Sequence, residues 1–394
     1  MKQNIFYLGF CPSVDLMDDL YRLDSRPSVQ TVKYAKKIIS ILERGGTVVN
    51  ISTAPIQDYP KCKKLFIFTD GDYVEKKIFI PFINVLGLKQ CFRFLFSLYY
   101  LILNANRGQR SIIVLHGVHL PFVLSAIISK IIGYKVVLYA TDPAGVVLVN
   151  DGFVIKFLKM VDKNVINALL KFVDGAVVPS MTFIKNYKFR ENIPFQIVPG
   201  IMEKTPLIGG LTPPNLSLKP SVSVCYSGSL YRNNGIENLI RSARHLPKNV
   251  NIHIVGEGED SGYLEKVSQG LGNVFFHGFK SGSEYLELVA NMDILVNVRS
   301  PTQDFTYYSF PSKLFEYLSL NKFVITTRLH SIPAEISGCF DYFDSTDPKH
   351  IANKIQSIIH RNKYKKVESN YSLAYEHYSA DGVSRKINTL VSSI

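Results

Sequence analysis

Lys313 and Glu316 stand three residues apart, just past Pro311, in the stretch Tyr307 to Tyr317 (YYSFPSKLFEY). That spacing is close to one helical turn, so a helix here sets a cation beside a carboxylate. A cation at a helix start, with free backbone N–H groups and the positive end of the helix dipole, suits a phosphate. A carboxylate one turn further in can accept two hydrogen bonds from a ribose diol. Pro311 fixes its own φ and disfavours a helical residue before it, which places the helix start just beyond it. Ser309 and Ser312 are good capping types there, and the backbone of Ser309, Phe310, Pro311 and Ser312 would face the ligand. The competing reading is a surface helix start with an ordinary Lys and Glu.

Two further loops carry candidate chemistry. The strand pattern Val222 to Tyr226 runs into Ser227-Gly-Ser-Leu-Tyr-Arg-Asn-Asn-Gly235. Gly228 and Ser229 make a small-residue loop able to wrap a phosphate, and Arg232 could close on it bidentately. The GK[ST] ending of a P-loop is missing, and an ordinary βα turn is the alternative. Gly256 and Gly258 follow the strand Asn251 to Val255, but Ser261 occupies the third glycine place of a dinucleotide fingerprint. In the first half, His116, His119 and Asp142 fall just beyond the strands 111–115 and 135–139, where open α/β sheets line their crevices. An imidazole there can bind a sugar hydroxyl or shuttle a proton. Capping or core-edge roles are the alternative. The histidine pair lacks a companion ligand set, so no metal site is expected.

Positioning these residues takes alternating strands and helices. Strands are expected at Asn4–Leu8, Thr47–Ile51, Leu65–Phe68, Ser111–Leu115, Lys135–Tyr139 and Asp174–Val178, with helices at Val29–Leu42, Val123–Ile132 and Phe153–Phe172. That order argues for a parallel sheet. A second set follows: strands 222–226, 251–255, 273–276, 294–298 and 323–326, and helices 236–246, 283–290, 348–361 and 379–391. The proline- and glycine-rich stretch Pro199 to Pro220 marks a linker between two domains. The expected division is 1–200, a linker 201–220, 221–375, and a C-terminal helix 376–394. Residues 78–103 are the most apolar part. Pro81, Gly87, Lys89, Gln90 and Arg93 interrupt them, which excludes a membrane span. Two readings stay open for this stretch: a buried helix, or an interfacial one whose Lys76, Lys77, Lys89 and Arg93 meet lipid phosphates.

The 394 residues carry 45 Lys and Arg against 32 Asp and Glu. The excess is lopsided: residues 1–200 hold 25 basic and 14 acidic side chains. Such a half suits an anionic membrane or a phosphate-bearing substrate. No zinc-finger spacing, RNA-recognition signature or Arg-rich arm points to nucleic acid. The five cysteines are scattered and form no CxxC, which fits a reducing, cytoplasmic setting. The start MKQNIFYLGF reaches Cys11, Pro12 and Asp15 too early for a signal peptide.

Taken together, SGSLYRNNGIENLI, IHIVGEGE, VFFHGF, ANMDILVNV and YSFPSKLFEYLSLNKFVITT resemble retaining glycosyltransferases of the GT-B fold, family 4. VLYATDP, DGAVVPS and the closing HYSADGVSRKINTLV extend the resemblance over nearly the whole chain. It implies an α/β protein of two Rossmann-like domains facing each other across a cleft. It implies a UDP- or GDP-sugar held mainly by the second domain, with neither cofactor nor metal. Glu316 matches by position the second Glu of the family's E-x7-E motif, which binds the nucleotide ribose; the first falls at Tyr308, so the motif is broken. The family's loop Arg and Lys fall at Ser229 and Asn234, with Arg232 as a stand-in. His119 resembles the family's first-domain His near the transferred sugar. The implied catalytic set is Arg232 and Lys313 on the departing diphosphate and His119 orienting the sugar. The implied acceptor is a lipid-linked glycan of surface polysaccharide (O-antigen or capsule) at the inner face of the plasma membrane, touched peripherally. Rival readings are a nucleotide-sugar-binding protein without transfer, a GT-B sugar-nucleotide epimerase, and a Rossmann oxidoreductase.

Overall fold

A computed structural model describes residues 3–25, 27–68, 76–105, 110–141, 143, 145, 152–204, 216–361 and 365–394. Asp142 and most of the expected linker, 205–215, lie outside the described residues. The chain divides into two compact units: Met1–Val198 with Val383–Ile394, and Pro199–Gly382.

The first unit contains, in chain order, β1 (Gln3–Gly9), α1 (Val14–Leu23), α2 (Val29–Glu43), β2 (Gly46–Ser52), β3 (Phe66–Ile67), β4 (Lys77–Phe79), β5 (Phe82–Ile83), α3 (Leu88–Leu103) and β6 (Ser111–His116). There follow α4 (Leu120–Ser129), β7 (Lys135–Tyr139), α5 (Phe153–Leu169), β8 (Gly175–Val178), α6 (Met181–Asn186) and β9 (Phe195–Ile197). Seven strands form one sheet in the order β4-β2-β1-β6-β7-β8-β9, every pairing parallel. β3 and β5 make a separate antiparallel ladder.

The second unit contains β10 (Val222–Ser227), α7 (Ile236–Ser242), β11 (Val250–Val255), α8 (Ser261–Val267), β12 (Val274–Phe276), α9 (Gly282–Ala290), β13 (Ile294–Asn297), α10 (Asp304–Tyr308) and α11 (Lys313–Ser319). It continues through β14 (Phe323–Thr327), α12 (Ala334–Ser337), β15 (Asp341–Phe343), α13 (Pro348–His360) and α14 (Lys365–Tyr378). α15 (Ala380–Ser392) closes the chain, mostly within the first unit. The sheet order is β12-β11-β10-β13-β14-β15, again parallel throughout.

Alternation along these strands builds two cores. Val224, Ile252, Val296 and Ile325 join one cluster with α7 and α13. Cys225, Leu295 and Val324 join another with Leu314, Phe315 and Leu318 of α11. A sheet apolar on both faces must be covered on both, which is the condition under which parallel sheets form. Each sheet has one place where the strand order reverses: between β1 and β6, and between β10 and β13. Connections leave those neighbours in opposite directions, and the crevice they open is where such sheets bind ligands.

The interfacial reading of residues 78–103 loses two of its four cations, and one local expectation, the Ser312 cap, is corrected. Neither Lys89 nor Arg93 faces outward. Lys89, 3% exposed, donates to Ile56 O at 3.0 Å and pairs with Asp58 at 2.5 Å. Arg93 donates to Ala54 O at 2.9 Å and lies over the Phe10 and Phe82 rings. Burial lowers the pKa of both. Ser312 does take the N-cap place of α11, but its hydroxyl makes no capping bond. The first turn instead closes through Leu314 N to Pro311 O and Phe315 N to Ser312 O.

Candidate functional site

The crevice of the second unit is built around Ser227, the last residue of β10. Its N–H donates to Tyr317 Oη at 2.9 Å, and its Oγ lies 2.8 Å from Tyr285 Oη and 3.0 Å from Tyr317 Oη. These bonds tie α9 and α11 to the strand end, just before the loop at Gly228. Lys313 and Glu316 therefore open beside that loop. Lys313 Nζ sits 2.9 Å from Glu316 Oε2 and 4.1 Å above the Tyr285 ring. Both side chains are roughly a third exposed, 37% and 29%, so a ligand can reach them. Burial raises the pKa of Tyr285, and the Glu316 carboxylate raises it further, so the phenol stays protonated and can donate.

Three glycines let the loops meet. A Cβ on Gly256 would lie 1.9 Å from Gly228 O, one on Gly258 2.3 Å from Leu230 O, and one on Gly235 2.1 Å from Val298 O. Gly256 and Gly235 also take positive φ, 136° and 77°, which favours glycine. The GxG after β11 thus serves loop-to-loop packing, bonded through Gly228 N to Val255 O and Leu230 N to Glu257 O. Ser229 O is held by Asn234 Nδ2 at 2.8 Å and Tyr226 Oη at 3.2 Å. Asn234 is thereby committed to shaping the loop.

Arg232 points elsewhere. Its backbone N–H and Nε bond Asp260, at 2.9 and 3.1 Å, and its guanidinium stacks 3.6 Å from the centre of the Tyr263 ring. Phe310 is 6% exposed and packs on Phe315, so only its backbone can face a ligand. Arg299, two residues past β13, escaped the motif reading. It stands opposite the β10 loop across the reversal point, close enough to feel the Tyr226 and Tyr317 hydroxyls. Its position just beyond the end of the expected strand 294–298 is the signal that could have found it.

In the first unit, His116 ends β6 at its reversal point and is 4% exposed. Its Nδ1 lies 2.6 Å from Tyr7 Oη. Burial pushes the Tyr7 phenol well up and the His116 imidazole down to about 4. The protonated phenol therefore donates to a neutral ring, leaving the ring proton on Nε2. His119 packs edge-on against Phe10, 4.6 Å between centres, and keeps an exposed edge. Packing and the Arg93 charge lower its pKa, and water on that edge limits the effect. It is a neutral hydrogen-bonding group at physiological pH. Beyond β1 lies a cavity of about 670 Å³ lined by Cys11, Ser13, Asp15, Lys36, Asn50, Ser52, Lys77 and Phe79, among others. Lys36 and Lys77 both act on the Cys11 thiol. Asn50 Nδ2 donates to Cys11 O, and its Oδ1 is unsatisfied. A cavity with one aromatic face, carboxylates, amines and an amide suits a hydroxyl-rich ligand. Among the described residues, no group of three or more His, Cys, Asp or Glu is placed to hold a metal ion.

Residues 214–374, all within the second unit, match the family model Glycosyl transferases group 1. An uncharacterized glycosyltransferase of Methanocaldococcus jannaschii is 22% identical over 219 residues, which span 52% of this chain and 54% of that protein. The match thus spans about half of that relative's length. Among solved structures, the lipopolysaccharide outer core galactosyltransferase WaaB in its apo form aligns over 99% of both chains, with TM-score 0.66 and 14% identity. HepE of Anabaena in complex with UDP aligns over all of both chains, with TM-score 0.61 and 15% identity. Likeness at that identity establishes the fold, which is GT-B.

Proposed function

We propose that this chain transfers a sugar, with retention, from a nucleotide-sugar to a lipid-linked glycan in surface-polysaccharide synthesis. The observation that carries the reading is a coincidence of place. The stretch matching the group 1 family holds Lys313, Glu316 and Arg299 around the strand ends where its sheet reverses order. HepE, of the same fold, has been solved with UDP and also with UDP-glucose, which supports a nucleoside diphosphate donor.

In this reading Glu316 accepts the ribose hydroxyls. Lys313, Arg299 and the backbone of the Gly228–Ser229 and Phe310–Ser312 loops meet the diphosphate, and Arg232 joins if it leaves Asp260. α11 has only seven residues, so side-chain cations rather than its dipole carry the charge. As the C1–O bond to the diphosphate breaks, negative charge grows on the departing oxygen, and preorganised cations lower the barrier where that charge develops. The acceptor hydroxyl attacks C1 from the same face, and its proton passes to the departing phosphate oxygen. That route needs no protein base, which fits a neutral His119 orienting the sugar. His116, bonded to Tyr7, would set the strand end from which His119 extends. The cavity beyond β1 is the acceptor side. The basic excess of residues 1–200 supports an acceptor presented at an anionic membrane.

Tyr308, where the family has a carboxylate, favours a second reading of donor binding without transfer. Incubating the protein with UDP- and GDP-sugars and scoring nucleotide release with and without lipid-linked acceptor separates them. Acceptor-dependent release in the wild type that Lys313→Ala, Glu316→Ala and Arg299→Ala each reduce at least tenfold at low donor concentration supports transfer. Binding with no release under any acceptor overturns it.

A further inference from the structure

Exposed large apolar side chains crowd onto one part of the first unit. Phe153 is 86% exposed, Phe157 53% and Met160 52%, and Ile155, Leu158, Val161 and Val165 of the same helix are also exposed. Ile131, in the 3₁₀ turn after α4, is 86% exposed. Leu95, Tyr99, Ile102 and Leu103 of α3 are more than half exposed. These elements form one layer. The crossovers from β4 to β6, β6 to β7 and β7 to β8 all step along the sheet in the same direction. Right-handed connections then put α3, α4 and α5 on one face, and α4 packs against both neighbours. Single exposed apolar residues are ordinary; a contiguous layer of them marks a surface that meets something apolar.

Charge selects the occupant. Lys156, Lys159 and Lys163 of α5 recur at intervals of three and four, so they share one side of the helix, while Phe153, Phe157, Met160 and Val161 share another. The helix holds one carboxylate, Asp162, half-buried and with its pKa raised by burial. Lys130, nearby in sequence, is already taken by Asp174 at 2.7 Å. No helix among the described residues is long and apolar enough to cross a membrane. An apolar stripe flanked by lysines, on a helix too charged to span, is the pattern of a helix lying in a bilayer interface with its ammonium groups at anionic headgroups. We propose that α5, with Ile131 and the outer side of α3, docks the first unit on an anionic lipid bilayer. The lipid-linked acceptor of the proposed reaction gives the docking its purpose, but the surface itself rests on exposure and charge. Lys89 and Arg93, the alternative lipid-facing cations of residues 78–103, are used inside the protein.

The test is co-sedimentation of the full chain with vesicles of phosphatidylcholine alone and of equal parts phosphatidylcholine and phosphatidylglycerol. The wild type is expected to bind the anionic vesicles at least tenfold better and to come off at high salt. Phe153→Ser with Phe157→Ser, and separately Lys156→Glu with Lys163→Glu, should each cut binding at least tenfold, while Leu218→Ser, an exposed leucine of the second unit, should not. Melting temperatures and stabilisation by UDP, measured in parallel, show that each variant is folded and that the donor side is intact. Loss of vesicle binding with UDP stabilisation retained supports the proposal. Equal binding to both vesicle types, or variants that bind like the wild type, overturns it. So does concentration-dependent self-association that the Phe153→Ser, Phe157→Ser variant abolishes without any vesicle binding, which assigns the face to a second copy. Vesicle binding in a protein that never transfers sugar leaves the docking standing and removes the transferase reading.

Discussion

Lys313 Nζ is 2.9 Å from Glu316 Oε2 within the opening turn of α11. The two partners of this pair have separate jobs in the proposed reaction, so their removal should read out differently. Lys313→Ala is expected to lower kcat by roughly a hundredfold, as expected for a donor aimed at developing charge. Glu316→Ala is expected mainly to raise the donor KM by roughly tenfold or more, because charged hydrogen bonds to the ribose are lost in ground and transition state alike. The pair is partly exposed, so its own contribution to stability is about 1 kcal/mol or less. Steady-state kinetics with melting curves check this: two unchanged kinetic profiles would remove the donor assignment.

Glycine substitutions test whether the loops beyond the strand ends need their close approach. Gly256→Ala puts a methyl 1.9 Å from Gly228 O at a positive φ, and Gly235→Ala puts one 2.1 Å from Val298 O. Backbone must move in both, at a cost of about 2 kcal/mol or more, and the Gly228 loop should lose donor affinity with it. Gly272→Ala meets nothing within 4 Å and has no positive φ, so it should stay within about 0.5 kcal/mol of the wild type. Chemical unfolding and nucleotide binding on the three variants measure both effects.

Some of this site could be read in the chain and some could not, for identifiable reasons. A proline followed by Lys and Glu at helical spacing shows its geometry locally, because neighbours along a helix are neighbours in space. Arg232 sits in a loop that looks like a phosphate wrap, yet its direction is set by Asp260 and Tyr263, about thirty residues on, which no local pattern encodes. Lys89 and Arg93 have the spacing and apolar company of an interfacial helix. What distinguishes them is the Asp58 carboxylate and the Ile56 and Ala54 carbonyls waiting inside. The parallel sheets were legible because strands and helices alternate along most of each unit. Their reversal points depend on which strands pair, and that is a non-local fact.

Arg299 is the member of the proposed donor cluster that no motif marks. Burial lowers its pKa, and the Tyr226 and Tyr317 hydroxyls partly restore it. A partly desolvated guanidinium is a strong partner for a diphosphate, since little water must be removed on binding. Arg299→Ala should weaken UDP binding and transfer by at least tenfold, and Arg299→Lys should recover only part, because the planar fork is lost. Arg232→Ala should cost less binding if Asp260 keeps it. Calorimetric titration with UDP ranks the two, and an Arg299→Ala protein that binds UDP normally would return the role to Arg232.

The buried Tyr7–His116 pair makes a pH prediction whose sign follows from where the proton goes. His116 titrates at about 4 in the folded chain because burial disfavours its charged form, against about 6.5 unfolded. Below the unfolded value the unfolded chain takes up a proton that the folded chain refuses. Stability from this group is therefore fully present above about pH 6.5 and is lost as the pH falls towards 4. The loss amounts to about 3 kcal/mol as an upper bound. His116→Gln keeps an acceptor for the Tyr7 hydroxyl but cannot titrate, so its stability should fall less steeply over the same window. Urea unfolding at half-unit steps from pH 7 to 4 measures the difference between the two curves, in which acid losses common to both proteins cancel. Parallel curves would mean that His116 charges freely in the folded state, and that burial does not hold it neutral.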